Sequence, residues 1–85
     1  MARQLENRLL IIRLFDIYGG LLTARQRRLM ALYYLDDLSL GEIAERLHIT
    51  RQAVRDSLQR SIEELTRFEK HLGLVRRRPA VGERA

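Results

Sequence analysis

From Ser39 to Leu58 the chain reads S-L-G-E-I-A-E-R-L-H-I-T-R-Q-A-V-R-D-S-L. This stretch spells two short helices joined by a tight corner. Ser39 is placed to cap the first helix, because its hydroxyl can accept a hydrogen bond from a free backbone N–H. Glu42, three residues on, completes a capping box. Leu40, Ile43, Ala44 and Leu47 then recur at helical spacing on one face. His48 and Ile49 make the corner, with Ile49 turned inward, and Thr50 caps the next helix. The apolar stripe of that helix runs through Val54, Leu58, Ile62 and Leu65 and extends to Phe68 and Leu72. Ala44 is small where a second helix crosses. The pattern is that of a helix-turn-helix.

The opposite face of the second helix carries the functional reading. At 100° per residue, Gln52, Arg55, Asp56 and Gln59 point away from the apolar stripe, and Arg51 sits in the first turn. Arginine pairs with guanine and glutamine with adenine when a helix enters a major groove. Thr50, Arg51, Gln52, Arg55 and Gln59 are therefore the candidate nucleic-acid-binding residues. Thr50 caps and touches a phosphate, Arg51 and Arg55 contact bases or phosphates, and the glutamines read base edges. The alternative is a solvated face on a packing helix, since both residue types favour helices.

Working outward, residues 3 to 18 form a first helix whose apolar residues fall on nearly every side. Such a helix must be covered on more than one side. It is either the centre of a tight bundle or a dimer contact. Gly19-Gly20 ends it with the positive φ of a C-cap. Thr23 caps a second helix, with Gln26 in capping-box position. That helix runs to about Leu35 with Leu29, Leu32 and Tyr33 inside. Arg25, Arg27 and Arg28 lie in its first turns, an unfavourable place for cations. Either a phosphate or a neighbouring Asp16 or Glu6 compensates them. Tyr33-Tyr34 is available for base stacking but fits a core equally. The last helix runs from Arg51 to about Leu72 and Gly73 stops it.

The predicted fold is all-α: a four-helix domain over residues 1–73 that contains the helix-turn-helix, followed by a flexible basic tail over residues 74–85. The 85 residues suit one domain. The net charge of +5 points to an anionic partner, yet more than half of it lies in the tail and Glu63, Glu64 and Glu69 make the far half of the last helix acidic. No cysteine is present, and His48 and His71 stand apart, so no metal site or cofactor is expected. No nucleophile with an adjacent base and no phosphate loop appears, so no catalytic residues are assigned and an enzyme is not expected. No apolar run reaches the length that spans a bilayer, and no leader pattern is visible, which reads as a cytoplasmic protein without membrane insertion.

The first helix and the long last helix predict a homodimer, with Leu10, Leu14, Ile17, Leu65, Phe68 and Leu72 at the contact. Leu5, Leu9 and Ile12 then face the protomer's own core, or the two sides are reversed. A two-fold pair doubles the positive charge and presents two recognition helices to two half-sites.

From Phe15 to about Arg60 the chain resembles the YlxM-type family of small bacterial helix-turn-helix proteins. The residues that carry the likeness are Phe15-Asp16-x-Tyr18, Leu21-Leu22-Thr23-Ala24, Leu32-Tyr33-Tyr34-Leu35-Asp36-Asp37, Ser39-Leu40-Gly41-Glu42-Ile43-Ala44-Glu45 and Arg51-Gln52-Ala53-Val54. More broadly it is similar to the fourth conserved region of sigma factors, through Ser-x-x-Glu-Ile-Ala. The resemblance implies a regulator of the signal recognition particle pathway. Its partners would be DNA, structured RNA, or components of that particle bound without reading DNA sequence. The chain departs from many relatives at Arg55, where they carry an aromatic, and at Gly73, where they continue with charged helical sequence.

Overall fold

The computed structural model describes residues 2–77, with side chains for residues 7–76. Five α-helices and no strand are found among the described residues. They are α1 (Ala2–Tyr18), α2 (Ala24–Met30), α3 (Leu40–Leu47), α4 (Arg51–Leu72) and α5 (Leu74–Arg77). A 3-10 turn, Gly19–Leu21, joins α1 to α2, and α2 runs on into a π-turn over Ala31–Leu35.

The helices begin where local chemistry starts them. Thr23 Oγ1 accepts from the Gln26 N–H at 3.1 Å, and Gln26 Oε1 accepts from the Thr23 N–H at 2.9 Å. Ser39 and Glu42 make the same reciprocal pair at 3.1 and 2.8 Å. Thr50 Oγ1 accepts from the Ala53 N–H at 3.0 Å. Each bond satisfies an amide that a helix start leaves unpaired. At the other ends, His48 (φ 60°), Asp37 (φ 61°) and Gly73 (φ 65°) turn the chain through the left-handed region.

α4 is the hub, with α1, α2 and α3 packed against it. Val54, Leu58 and Leu65 project from it into a core shared with Leu14 and Tyr18 of α1, Leu29 and Met30 of α2, and Ile43 and Ala44 of α3. Ser61 is fully buried on the same helix and donates its hydroxyl proton to the Ser57 carbonyl at 2.8 Å. A hydroxyl satisfied by its own helix can be buried without a stranded polar atom.

The structure departs from the sequence expectations at several places. Gly19 and Gly20 do not supply a positive φ, since Gly73 is the one glycine among the described residues that does. Gly19 instead lets its backbone approach the Phe15 ring, where an added Cβ would stand 3.1 Å from two ring carbons. Leu14 and Leu65, expected at a dimer contact, are buried in the protomer core, while Leu9, expected inside, is exposed. α1 is apolar on all sides, so its spacing alone selects no inner face. Leu5 lies outside the described side chains.

The tail does not begin free at residue 74. α5 starts there and buries Val75. Its cause is Glu69, whose carboxylate accepts from the Val75 and Arg76 N–H groups, both at 3.0 Å, and so caps α5 from the side. Residues 78–85 of the expected tail lie outside the described residues. Finally, neither Arg25 nor Arg28 forms an ion pair with Asp16. The one salt bridge among the described residues joins Arg8 and Asp37. Arg27 instead donates to the Leu22 carbonyl at 2.6 Å, and Glu6 lies outside the described side chains.

Candidate nucleic-acid interface

The corner between α3 and α4 decides which face of α4 is offered to solvent. His48 takes the left-handed conformation, and the Ile49 N–H donates back to the Ala44 carbonyl at 3.0 Å. Ile49 packs against the core margin. Thr50 then starts α4 at an angle that sends Val54 and Leu58 inward. By helical geometry the remaining residues of the first three turns must point out. Arg51, Gln52, Arg55, Asp56, Gln59 and Arg60 are all exposed, forming a polar ridge.

Each expected site residue lies on or beside that ridge. Thr50 is engaged as the α4 cap. The Arg51 guanidinium lies across the backbone of α3, where a methyl added at Gly41 would stand 2.9 Å from it. Arg55 is exposed and borders a shallow pocket of about 150 Å³ lined also by Tyr33, Tyr34, Leu40, Gln59 and Ile62. The tyrosines sit edge to face, with ring centroids 4.9 Å apart, and are half-buried.

The two glutamines are less free than their exposure suggests. Gln52 Nε2 donates to Asp56 Oδ1 at 2.8 Å, and Gln59 Nε2 to Glu63 Oε2 at 3.2 Å. Both amides are thus held by carboxylates one turn along, and reading adenine requires those bonds to open. The two arginines have no such carboxylate partner among the described residues. The ridge therefore offers arginine donors outright and glutamine donors conditionally.

A second groove, of about 760 Å³, runs along the other flank of α4. Ala53, Asp56, Ser57, Arg60 and Glu64 line it from α4, Leu21 and Thr23 from the turn and cap before α2, and Arg25 and Gln26 from α2 itself. Sequence reasoning left out Arg60 and Ser57. The signal was available: they follow Ala53 at i+7 and i+4, which places all three on one flank of the helix. No group of residues that could hold a metal is found among the described residues, and no described helix is long and apolar enough to cross a membrane.

Comparison with known proteins agrees with this architecture. Residues 5–81 match the family model described as "UPF0122: Putative helix-turn-helix protein, YlxM / p13 like". The UPF0122 protein GK1195 of Geobacillus kaustophilus is 51% identical over 73 residues, covering 86% of this chain and 66% of that protein. A UPF0122 protein of Desulforamulus reducens is 58% identical over 60 residues, 71% of this chain and 51% of the relative. A Thermoanaerobacter relative, Teth514_1714, is 55% identical over 64 residues, 75% and 55% of the two chains. The chain thus spans about half to two thirds of the length of these relatives. Matched over nearly all its length and built around a capped helix–corner–helix unit, the chain belongs to the UPF0122 family of helix-turn-helix proteins.

Proposed function

We propose that the protein is a regulator that binds duplex DNA, with the N-terminal half of α4 as its reading helix. One observation carries this reading: Arg51, Gln52, Arg55 and Gln59 stand exposed on one ridge while Val54 and Leu58 anchor the same turns in the core. An α-helix so presented fits a major groove about 12 Å wide. Arg51 and Arg55 supply the primary contacts. Gln52 and Gln59 exchange their carboxylate partners for base edges, and Thr50 orients the first turn. The protein acts as a homodimer through outward leucines of α1 and of the end of α4, Leu9, Leu10 and Leu72. Pairing doubles a charge that is modest on one helix-turn-helix.

A second reading is an interaction module for the signal recognition particle, binding its RNA or protein without reading DNA sequence. The Gln52–Asp56 and Gln59–Glu63 pairs favour it, because they cover the base-reading amides. Binding to mixed-sequence duplex DNA and to the particle's RNA, measured across a salt series, separates the two. Arg51→Ala and Arg55→Ala should each keep the fold and weaken duplex binding by roughly 1–3 kcal/mol. If both variants bind duplex DNA like the parent, α4 is not the reading helix. A preference for the RNA or the particle's protein favours the second reading.

A further inference from the structure

Arg25 occupies the second position of α2, next to the positive end of the helix dipole, where a cation costs stability. The α2 start is already closed by the Thr23–Gln26 capping box, so Arg25 has no capping task. It forms no ion pair among the described residues and is exposed. An arginine kept in an unfavourable place without a partner in its own chain suits an anion from outside.

The surroundings indicate which anion. Arg25 and Arg60 line the same groove between α2 and α4. The half-buried Ser57, whose hydroxyl takes no hydrogen bond among the described residues, lies on the same groove wall. Asp56 is turned to Gln52, and Glu64 accepts from Gln26 Nε2 at 3.4 Å. Both acids accept from amides and keep their charge, while Arg25 and Arg60 are the two charged groups of the groove without a partner among the described residues.

Spacing along α4 fits a strand of duplex DNA. Arg60 follows Gln52 by eight residues, about 12 Å along the helix axis at the standard rise. That exceeds half the major-groove width of about 12 Å, so it is enough to reach from the bases to a flanking strand. A helix that reaches bases with Gln52 and Arg55 therefore meets the flanking sugar-phosphate strand near Arg60. Beyond Arg60 the exposed ridge of α4 turns acidic at Glu63, which disfavours a path straight along the helix. The favourable path crosses the groove toward Arg25.

We propose that Arg25 and Arg60 hold the phosphate backbone of one DNA strand across this groove while α4 occupies the major groove, with Ser57 donating to the same strand. This rests on the reading of α4 given above. These are positioning contacts, which fix register on the duplex without carrying sequence information.

The test compares the parent with Arg25→Gln, Arg60→Gln and the double variant. Binding is measured to several mixed-sequence DNA duplexes and to a structured RNA hairpin across a salt series, with thermal unfolding alongside. Each substitution should weaken binding to all duplexes alike. Each should make the slope of log K against log salt shallower by about one. Arg25→Gln should unfold at the same or a higher temperature than the parent, since it removes a cation from the positive end of α2. If the parent binds duplex DNA and the double variant keeps its affinity and slope, the strand path is wrong while the α4 reading stands. If the parent binds no duplex, or only the RNA hairpin, both fall together.

Discussion

Gly41 and Arg51 illustrate how a single atom can separate stability from function. The Arg51 guanidinium occupies the space in which a side chain at Gly41 would begin. Gly41 has an ordinary helical backbone and lies inside α3, so alanine there reduces the freedom of the unfolded chain. Gly41→Ala is expected to leave stability unchanged or raise it by up to about 1 kcal/mol. It also displaces Arg51, whose flexible end can move aside. Chemical denaturation measured beside duplex binding checks this: stability holds while affinity falls. A variant that loses stability instead would mean the guanidinium packs rigidly on α3. At this scale much was legible in the sequence. The caps at Thr23, Ser39 and Thr50 depend on bonds within three residues, and a pattern of residues reveals them. The Gln52–Asp56 and Gln59–Glu63 bonds are equally local, at i, i+4, yet exposure alone obscured them. The contact of Arg51 with Gly41 crosses the corner between helices, and no spacing rule announces it.

At the scale of elements, two ties between distant helices went unread because each joins residues far apart in sequence. The first holds the π-turn after α2. Arg8 of α1 donates to the Tyr34 carbonyl at 3.1 Å and to Asp37 Oδ1 at 2.7 Å, and its guanidinium stands 5.2 Å from the centre of the Tyr34 ring. It closes carbonyls that the wide turn and the left-handed Asp37 leave open. Arg8→Ala should cost about 1–2 kcal/mol, reduced by the exposure of Asp37. Amide exchange should speed up first over the turn that ends α2; uniform acceleration throughout the chain would mean that Arg8 supports the whole core instead. The second tie is Glu69. Its carboxyl is held below the usual range by the Tyr18 hydroxyl first, then by the Val75 and Arg76 N–H groups, against the opposing effect of burial. A depressed carboxyl adds stability that is fully present above the ordinary value of about 4.3 and is lost as pH falls below it. Thermal unfolding in acid should therefore show α5 released early, and Glu69→Gln should flatten that acid limb. An unchanged limb in the variant would place the acid sensitivity elsewhere.

For the whole molecule, the question is what covers the leucines left outside. Leu9, Leu10 and Leu72 are each about half exposed, at 55%, 47% and 48%. Scattered apolar residues are ordinary on a surface. Here two are adjacent on a helix that is apolar all round, and a paired recognition unit gains charge and two half-sites from association. The expected outcome in sedimentation equilibrium is a mass of twice 10.0 kDa, falling to 10.0 kDa when Leu9 and Leu10 are both replaced by lysine. A parent mass of 10.0 kDa without concentration dependence would leave a monomer. The helical class and the core stripe of α4 were readable because period and burial agree along that helix. The inner face of α1 was not, because its sequence offers no polar side to exclude.

The clasp between the end of α1 and the α4–α5 junction has a consequence for the order in which the fold assembles. Tyr18 Oη donates to Glu69 Oε1 at 2.7 Å and accepts from the Leu74 N–H at 3.0 Å, across 51 and 56 residues. Closing so long a loop is entropically costly before other contacts hold its ends near. The caps and the α3–α4 corner form among neighbours and bear no such cost. The clasp should therefore close after the rate-limiting step of folding. A bond absent from the transition state governs how fast the native state opens, with little influence on how fast it forms. Tyr18→Phe is expected to leave the refolding rate unchanged and to accelerate unfolding in stopped-flow measurements. A slowed refolding limb would instead bring the end of α1 and the α4–α5 junction together at the start.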